Sequence, residues 1–347
     1  AQLLFLETPA HAAINTSLEV ADARRLSRIK GLLNAVLRRL SREGQALVEK
    51  LDSPWIDTPK WLWDSWVEHY GTQEAGKLAA AHRLEPALDI TIKNAAKRET
   101  LTTDLEATLL PTGSLRRPLG GAINKLPGFD DGDWWVQDAA AALPARLFGD
   151  DLTGKRIADL CAAPGGKTAQ LAAMGAEVTA LDRSGERLIR LGENLRRLNL
   201  SRHVETITAN AKHWEPEQPF DGVLLDAPCS ATGTIRRHPD VAWLKNPDQV
   251  DALAEQQAEL LGQAIDMVRE GGTLIYCTCS LQPAEGEAQI ERLLSLGAPV
   301  KTAPITAEEL GVSPSMITPE GWLRILPHHW AEHGGIDGFF AARLIRT

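Results

Sequence analysis

Apolar and polar positions change their rhythm twice along the chain. Over the first fifty residues Leu26, Ile29, Leu33, Val36, Leu37 and Leu40 recur at three- and four-residue spacing, which predicts an amphipathic helix. Ser53-Pro54 ends that block. Trp55, Trp61, Trp63 and Trp66 then fall in a second predicted helix, where packing against a neighbouring domain explains them better than base stacking. From about residue 86 the pattern shortens. Residues 87–93 alternate like a strand, residues 103–110 suit a helix, and Gly120-Gly121 closes a small α+β unit. Residues 125–132 form a turn-rich junction.

From Trp134 onward apolar runs alternate with helical spacing. Strands are predicted at 156–160, 178–181, 204–208, 220–225 and 273–277, with helices at 186–198 and 250–268. That alternation predicts βαβ units and an α/β, Rossmann-like, doubly wound, mostly parallel sheet. Residues 322–326 and 339–345 could add antiparallel edge strands. The expected division is a partial all-helical domain over 1–50, a helical linker with a small α+β linking domain over 51–133, and a catalytic domain over 134–347.

Charge adds one qualification. The net charge of −9 argues against a general polyanion binder. Yet Arg24 to Arg42 holds seven basic residues, Arg24, Arg25, Arg28, Lys30, Arg38, Arg39 and Arg42, and no acid. From Asp182 to Arg202 six arginines face three acids. Basic faces on an acidic body suit docking of one structured nucleic acid; solvated helix faces are the plainer explanation. No apolar run of about 18 residues indicates a membrane span. No signal-peptide pattern opens the chain, so a cytoplasmic setting is expected. The four cysteines, Cys161, Cys229, Cys277 and Cys279, then read as reduced thiols. The Cys277-x-Cys279 spacing is not that of a zinc knuckle, and no metal site is expected.

The first strand of the α/β domain runs into Cys161-Ala162-Ala163-Pro164-Gly165-Gly166-Lys167-Thr168. Small residues there let backbone N–H groups approach a ligand. A P-loop needs Gly where Cys161 stands, and G-x-G-x-x-G is absent. The remaining common ligand for such a loop is S-adenosyl-L-methionine. Asp182 ends the next strand, where a carboxylate can accept both ribose hydroxyls or else cap the following helix. Asn210 ends the third strand and could read an adenine edge; Asp226-Ala227-Pro228-Cys229 ends the fourth.

Two cysteine-bearing loops should open at the same sheet edge: residues 226–233 and Thr278-Cys279-Ser280. Any single cysteine is most often a buried structural thiol, the role expected of Cys277. Two at the ends of two strands of one sheet weaken that explanation.

DLCAAPGGKT from Asp159, LLDAPCSATGTIRRHPD from Leu224, TLIYCTCS from Thr273, WWVQDAAAALPA from Trp134 and DGFFAARL from Asp337 together resemble the Sun/Fmu-type RNA cytosine-5 methyltransferases. The resemblance spans about 134 to the end. It implies methyl transfer from S-adenosyl-L-methionine to carbon 5 of a cytosine in RNA, 16S ribosomal RNA ahead of transfer RNA. Cys279 would be the nucleophile and Cys229 would assist release. Cys161 to Lys167, with Asp182 and Asp226, would bind the cofactor or lie against the base. HAAINTSLEV and GLLNAVLRRL are similar to the end of the antiterminator-like helical RNA-binding domain of these enzymes, and no Met opens the chain. Asn210 stands where the family usually has Asp.

A cytosine in a helix hides carbon 6, so an unpaired or flipped target is expected. Arg236 and Arg237 are expected to hold the flanking backbone, or else to pair with nearby acids such as Asp240. Arg24, Arg28, Arg38 and Arg39 would grip RNA further away. A monomer is expected. The rivals are a DNA cytosine-5 methyltransferase, with the two cysteines exchanging roles, and a non-catalytic RNA-binding assembly factor that keeps the fold.

Overall fold

The structure, a computed structural model, describes residues 1–6, 8–51 and 54–347. It divides into two compact units, Ala1–Thr58 and Pro59–Thr347. In the first unit the expected single helix is two, Ala10–Ala23 and Lys30–Lys50, with a 3-10 turn Ser27–Ile29 between them. Arg25 takes a positive φ of 59° and breaks the run. Ser53 of the expected Ser53–Pro54 terminator lies outside the described residues.

The second unit opens with helix Lys60–Ala81. Trp66 is buried with Leu62, Ile235, Leu281 and Leu326, and Trp61 and Trp63 pack against the same cluster, so these three are a packing surface, whereas Trp55 is exposed. The small sheet follows, ordered β2-β3-β1-β4 and antiparallel throughout: β1 Leu88–Ile92, β2 Thr108–Leu109, β3 Leu115–Arg117 and β4 Trp134–Val136. The helix expected over 103–110 is shorter and earlier, Arg98–Asp104, because residues 108–109 pair with β3. The small sheet also extends past residue 134, since β4 pairs with β1.

The large sheet contains β5 Arg156–Leu160, β6 Glu177–Asp182, β7 Val204–Thr208, β8 Phe220–Asp226, β9 Val268–Thr278, β10 Val300–Thr302, β11 Leu323–Ile325 and β12 Phe339–Arg346. Its order is β10-β12-β9-β8-β5-β6-β7, with β11 paired to β12. The run β9-β8-β5-β6-β7 is parallel; β12 pairs antiparallel with β9, β10 and β11. β12 is therefore an interior strand and not the edge strand expected, because β10 covers its far side.

Both faces of this sheet are covered, which is why its strands read as near-continuous apolar runs. Ile157, Leu224, Ile275 and Phe339 face one core with Leu171, Leu188, Leu191 and Leu195 from helices Gly166–Ala173 and Gly185–Arg197. Ala158, Val223, Leu225, Tyr276 and Phe340 face the other with Leu260, Leu261 and Ile265 of helix Pro247–Met267. The chain crosses to opposite sides of β5, to β6 and β8, and opens a crevice at the carboxyl ends of β5 and β8.

Candidate active site

The loop after β5 is held in an unusual shape. Cys161 takes φ 63° and Gly165 φ 102°. A Cβ on Gly165 would also lie 2.7 Å from Leu191 Cγ, so conformation and space both require glycine. Ala162 N–H donates to the Leu181 carbonyl at 2.9 Å, and Ala163 N–H to Asp182 Oδ2 at 3.2 Å. Asp182 Oδ1 accepts from Ser184 N–H at 2.9 Å, and Arg187 lies 3.2 Å from Oδ2. The side-chain cap of helix Gly185–Arg197 is Ser184, not Asp182. A cavity of 190 Å³ opens here, with Cys161, Asp182 and Asn210 among its walls. Asn210 is exposed, and its Oδ1 accepts from Lys212 N–H at 3.2 Å.

Under this loop Asp159 is fully buried. Burial pushes its carboxyl up to about 7, against the hydrogen bond of 2.6 Å from Thr168. Asp159 Oδ1 has no hydrogen-bond partner among the described residues.

The loops after β8 and β9 bring two thiols together: Cys229 Sγ and Cys279 Sγ are 3.5 Å apart. The Cys229 thiol is pushed well up from its usual range by the Cys279 contact and by burial. Cys277, inside β9, points its thiol at Asp226 Oδ1 from 3.6 Å. Lys167 donates to Asp226 Oδ2 at 2.7 Å and lies over the Phe339 ring. Burial works against the Lys167 charge, but Asp226 together with Cys277 and Cys279 holds the ammonium above its ordinary pKa. Gly233 N–H donates to the Cys279 carbonyl at 3.0 Å, and the Gly233 carbonyl accepts from Gly338 N–H at 2.8 Å. A Cβ at Gly233 would sit 2.1 Å from the Gly338 oxygen, so the two glycines let the Cys229 loop and the β12 approach meet.

A larger cavity, 440 Å³, opens beside these groups. Cys279, Asp226, Lys167, Arg237, Asp138 and Phe339 line it, with Ala162 and Pro164 to Gly166 of the first loop. Arg237 donates through Nε and Nη2 to Asp337 Oδ2 at 2.8 and 2.5 Å. Asp138 is pushed up to about 8 by burial and by the neighbouring Asp337 and Asp89. Gln137, Asp138, Asp337 and Phe339 were not singled out from the sequence, although they sit within the QDAA and DGFF words.

One expectation fails. The Arg236 side chain is 1% exposed, donates to the Gly334 carbonyl at 2.9 Å and faces Asp138 and Asp337 at 3.6 and 3.7 Å. It is a buried counter-charge and presents no surface to an RNA backbone. Arg237 keeps an exposed third of its side chain, but within the cavity wall. The acids that hold this pair are distant in sequence; Asp240 is not among their salt-bridge partners. In the first unit Arg24 and Arg28 are exposed, Arg38 donates to Asn34 at 3.1 Å, and Arg39 pairs with Glu43 at 2.8 Å. No helix among the described residues is long and apolar enough to cross a membrane.

A Rossmann-like sheet, a glycine-bearing loop after its first strand and an acid at the end of its second define an S-adenosyl-L-methionine-dependent methyltransferase. The sequence model of the 16S rRNA methyltransferase RsmB/F family matches residues 150–345, and that of the NusB family residues 1–42. The chain belongs to the 16S rRNA methyltransferase RsmB/F family. It is 38% identical to a ribosomal RNA small subunit methyltransferase B of Pseudomonas syringae pv. tomato, over 99% of this chain and 79% of that protein. It is 35% identical to a probable ribosomal RNA small subunit methyltransferase B of Synechocystis, over 99% of this chain and 80% of that protein. A methyltransferase homologue from Pyrococcus horikoshii superposes with a TM-score of 0.67 at 25% identity, covering 82% of this chain and 94% of its own. The chain is thus an RNA methyltransferase that uses S-adenosyl-L-methionine.

Proposed function

We propose that this enzyme methylates carbon 5 of an unpaired or flipped cytosine in 16S ribosomal RNA, with Cys279 as nucleophile and Cys229 assisting release. The observation that carries the reading is the thiol pair, 3.5 Å apart, with Cys279 on the wall of a cavity that also holds Asp226 and Lys167. The residues around the first loop fit the cofactor. Asp182 offers carboxylate oxygens beside the smaller cavity for ribose hydroxyls; Cys161 lines that cavity, while Ala162 and Pro164 to Lys167 line the larger one. Bound S-adenosyl-L-methionine supplies an electrophilic methyl group.

The chain's own groups divide the remaining work. Cys279 sulfur adds to carbon 6, which makes carbon 5 nucleophilic. The thiol proton passes by way of Asp226 to ring N3, and Asp226, held by Lys167, then accepts from that N3–H and stabilises the adduct. Once carbon 5 carries the methyl group it must lose its proton before the C6–S bond can break. Cys229 Sγ, 3.5 Å from the Cys279 sulfur, stands beside the C6–S bond that must break. With its own proton first passed to water, the Cys229 sulfur takes the carbon 5 proton; the C5–H electron pair closes the ring double bond and the C6–S pair leaves with Cys279.

The relatives are named for small-subunit ribosomal RNA and the family for 16S rRNA, which favours ribosomal over transfer RNA. In this reading residues 1–50 dock RNA through Arg24, Arg28, Arg38 and Arg39, residues 51–133 link, and residues 134–347 catalyse, in a cytoplasmic monomer. The test is transfer of labelled methyl from S-adenosyl-L-methionine to 16S ribosomal RNA, followed by bisulfite mapping. A single protected cytosine is the expected result. Label at another base, or at another atom of cytosine, overturns the reading.

A further inference from the structure

The two thiols sit on separate loops, yet their sulfurs touch. Glu285 follows the second loop in a 3-10 turn, Pro283–Glu285, and is fully buried. Its Oε1 accepts from Ser230 N–H at 2.8 Å and from Gln257 Nε2 at 3.0 Å. Its Oε2 accepts from Ser230 Oγ at 2.5 Å and from Ser280 Oγ at 2.6 Å. Ser230 and Ser280 are the residues that directly follow Cys229 and Cys279. Both serines therefore close on one carboxyl group, and their hydroxyls lie 3.1 Å apart.

The same residue grips the second loop through its backbone. Its carbonyl accepts from Tyr276 OH at 2.8 Å and from Thr278 Oγ1 at 3.1 Å. Gln257 extends the network to the first loop by donating to the Pro228 carbonyl at 2.9 Å. A buried acceptor with four donors, from two loops and a helix, costs much to remove, because each donor would be left unpaired.

We infer that Glu285 is the positioning residue of the two-thiol site: its side chain splints the Cys229 loop to the Cys279 loop and so fixes the distance between the sulfurs. The role rests on the reading that both thiols act on one base. Two sulfurs that serve one ring in turn need a held spacing, and a misplacement of about 1 Å can cost on the order of a hundredfold in rate.

The test uses the full chain with Glu285→Asp, which shortens the reach, and Glu285→Gln, which keeps it. Without RNA or cofactor, diamide is added. It takes two hydrogens from the thiols, and the Cys229–Cys279 disulfide is followed by mass spectrometry. Wild type should cross-link readily and Glu285→Asp at least about tenfold more slowly. Methyl transfer by Glu285→Asp should fall by about ten- to a hundredfold in kcat, with cofactor Kd within about twofold. Glu285→Gln should recover both to within about threefold, since its amide still spans the two serines. If Glu285→Asp does not fold, Ser230→Ala/Ser280→Ala removes the two hydroxyl arms and should slow cross-linking in the same way. Wild-type cross-linking and turnover in the shortened or the double variant overturn the splint. Slow cross-linking in Glu285→Asp alongside an active Cys279→Ala enzyme overturns it from the other side, because the spacing is then held but serves no two-thiol reaction.

Discussion

The cavity beside Asp182 takes most of its walls from the ends of β5, β6 and β7 and the residues just after them. The cavity beside Cys279 draws on segments far apart in the chain, from Phe129 and Trp135 through Lys167, Asn194 and Asp226 to Cys279 and Phe339. The first is a set of local strand ends, each reached by one βα step. The second is a half-open cavity whose ion pairs, Arg237 with Asp337 and Lys167 with Asp226, join residues far apart in the chain. Binding a cofactor needs only a few oriented polar groups on a rigid edge. The proposed addition of a thiol to a base needs fixed charges, and those come from distant segments. The contrast makes a prediction of kind: changes in the larger cavity should alter turnover or stability, while changes in the smaller cavity should alter cofactor affinity.

Cys279→Ser gives the largest effect. A serine hydroxyl is far less nucleophilic than a thiol, so methyl transfer should fall by at least about 10⁴-fold. Cofactor affinity by calorimetry should stay within about twofold, and no denaturant-resistant RNA adduct should form. Cys229→Ala should instead retain an adduct that survives denaturant and releases slowly. The opposite pattern, an adduct with Cys279→Ala and none with Cys229→Ala, would exchange the two roles.

Arg236→Ala should act on stability rather than on RNA affinity. It leaves Asp138 and Asp337 without one of their buried counter-charges, a class of change that costs about 3–5 kcal/mol. Urea unfolding reads the loss directly. A variant of wild-type stability that loses RNA affinity in proportion to salt would return Arg236 to the RNA surface.

Asp159 lies beneath the loop that divides the two cavities, and its effect depends on pH. Its folded pKa, about 7, is above the unfolded value of 3.8. The folded state thus holds the proton longer; the stabilisation is complete below the unfolded value and is lost as pH rises through about 7. Between pH 5 and 8 this group alone should lower stability by about 2–3 kcal/mol. Asp159→Asn mimics the protonated carboxyl and should remove that slope. Urea midpoints at the two pH values check it; equal slopes in variant and wild type would mean that Asp159 is ionised throughout.

β5 was legible because both faces of the sheet are buried there, and β7 was found at its true bounds although it is an edge strand with Glu205, Thr206 and Thr208 exposed. β12 was misplaced to an edge because β10 is three residues long and leaves little trace in the sequence. The thiols, Lys167 and Asp226 were visible through their motif words. Glu285 and Asp337 were not, since a buried acid looks like any surface acid until its donors are known. Arg236 failed for the same reason in reverse: a basic run after a catalytic loop resembles an RNA grip, but one member points into the core.

Asp182 tests the other half of the contrast, and its effect is the smallest of the four. Its carboxylate already accepts from Ala163 and Ser184 N–H groups and faces Arg187, so it is held rigidly before any ligand arrives. Each carboxylate oxygen can take more than one donor, which leaves capacity for ribose hydroxyls. Two such hydrogen bonds, at about 0.5–1.5 kcal/mol each, make Asp182→Ala roughly five- to a hundredfold weaker for S-adenosyl-L-methionine. At saturating cofactor kcat should stay near wild type, because the bonds are equal in ground and transition states. Asp182→Ala also frees the Ala163 N–H that ties the loop to β6, so Asp182→Asn, which keeps an acceptor for that N–H, separates the two effects. Asn should lose part of the affinity while the fold stays firm. Wild-type affinity in both variants would reduce Asp182 to a brace for the loop, and the smaller cavity would lose its claim to the cofactor.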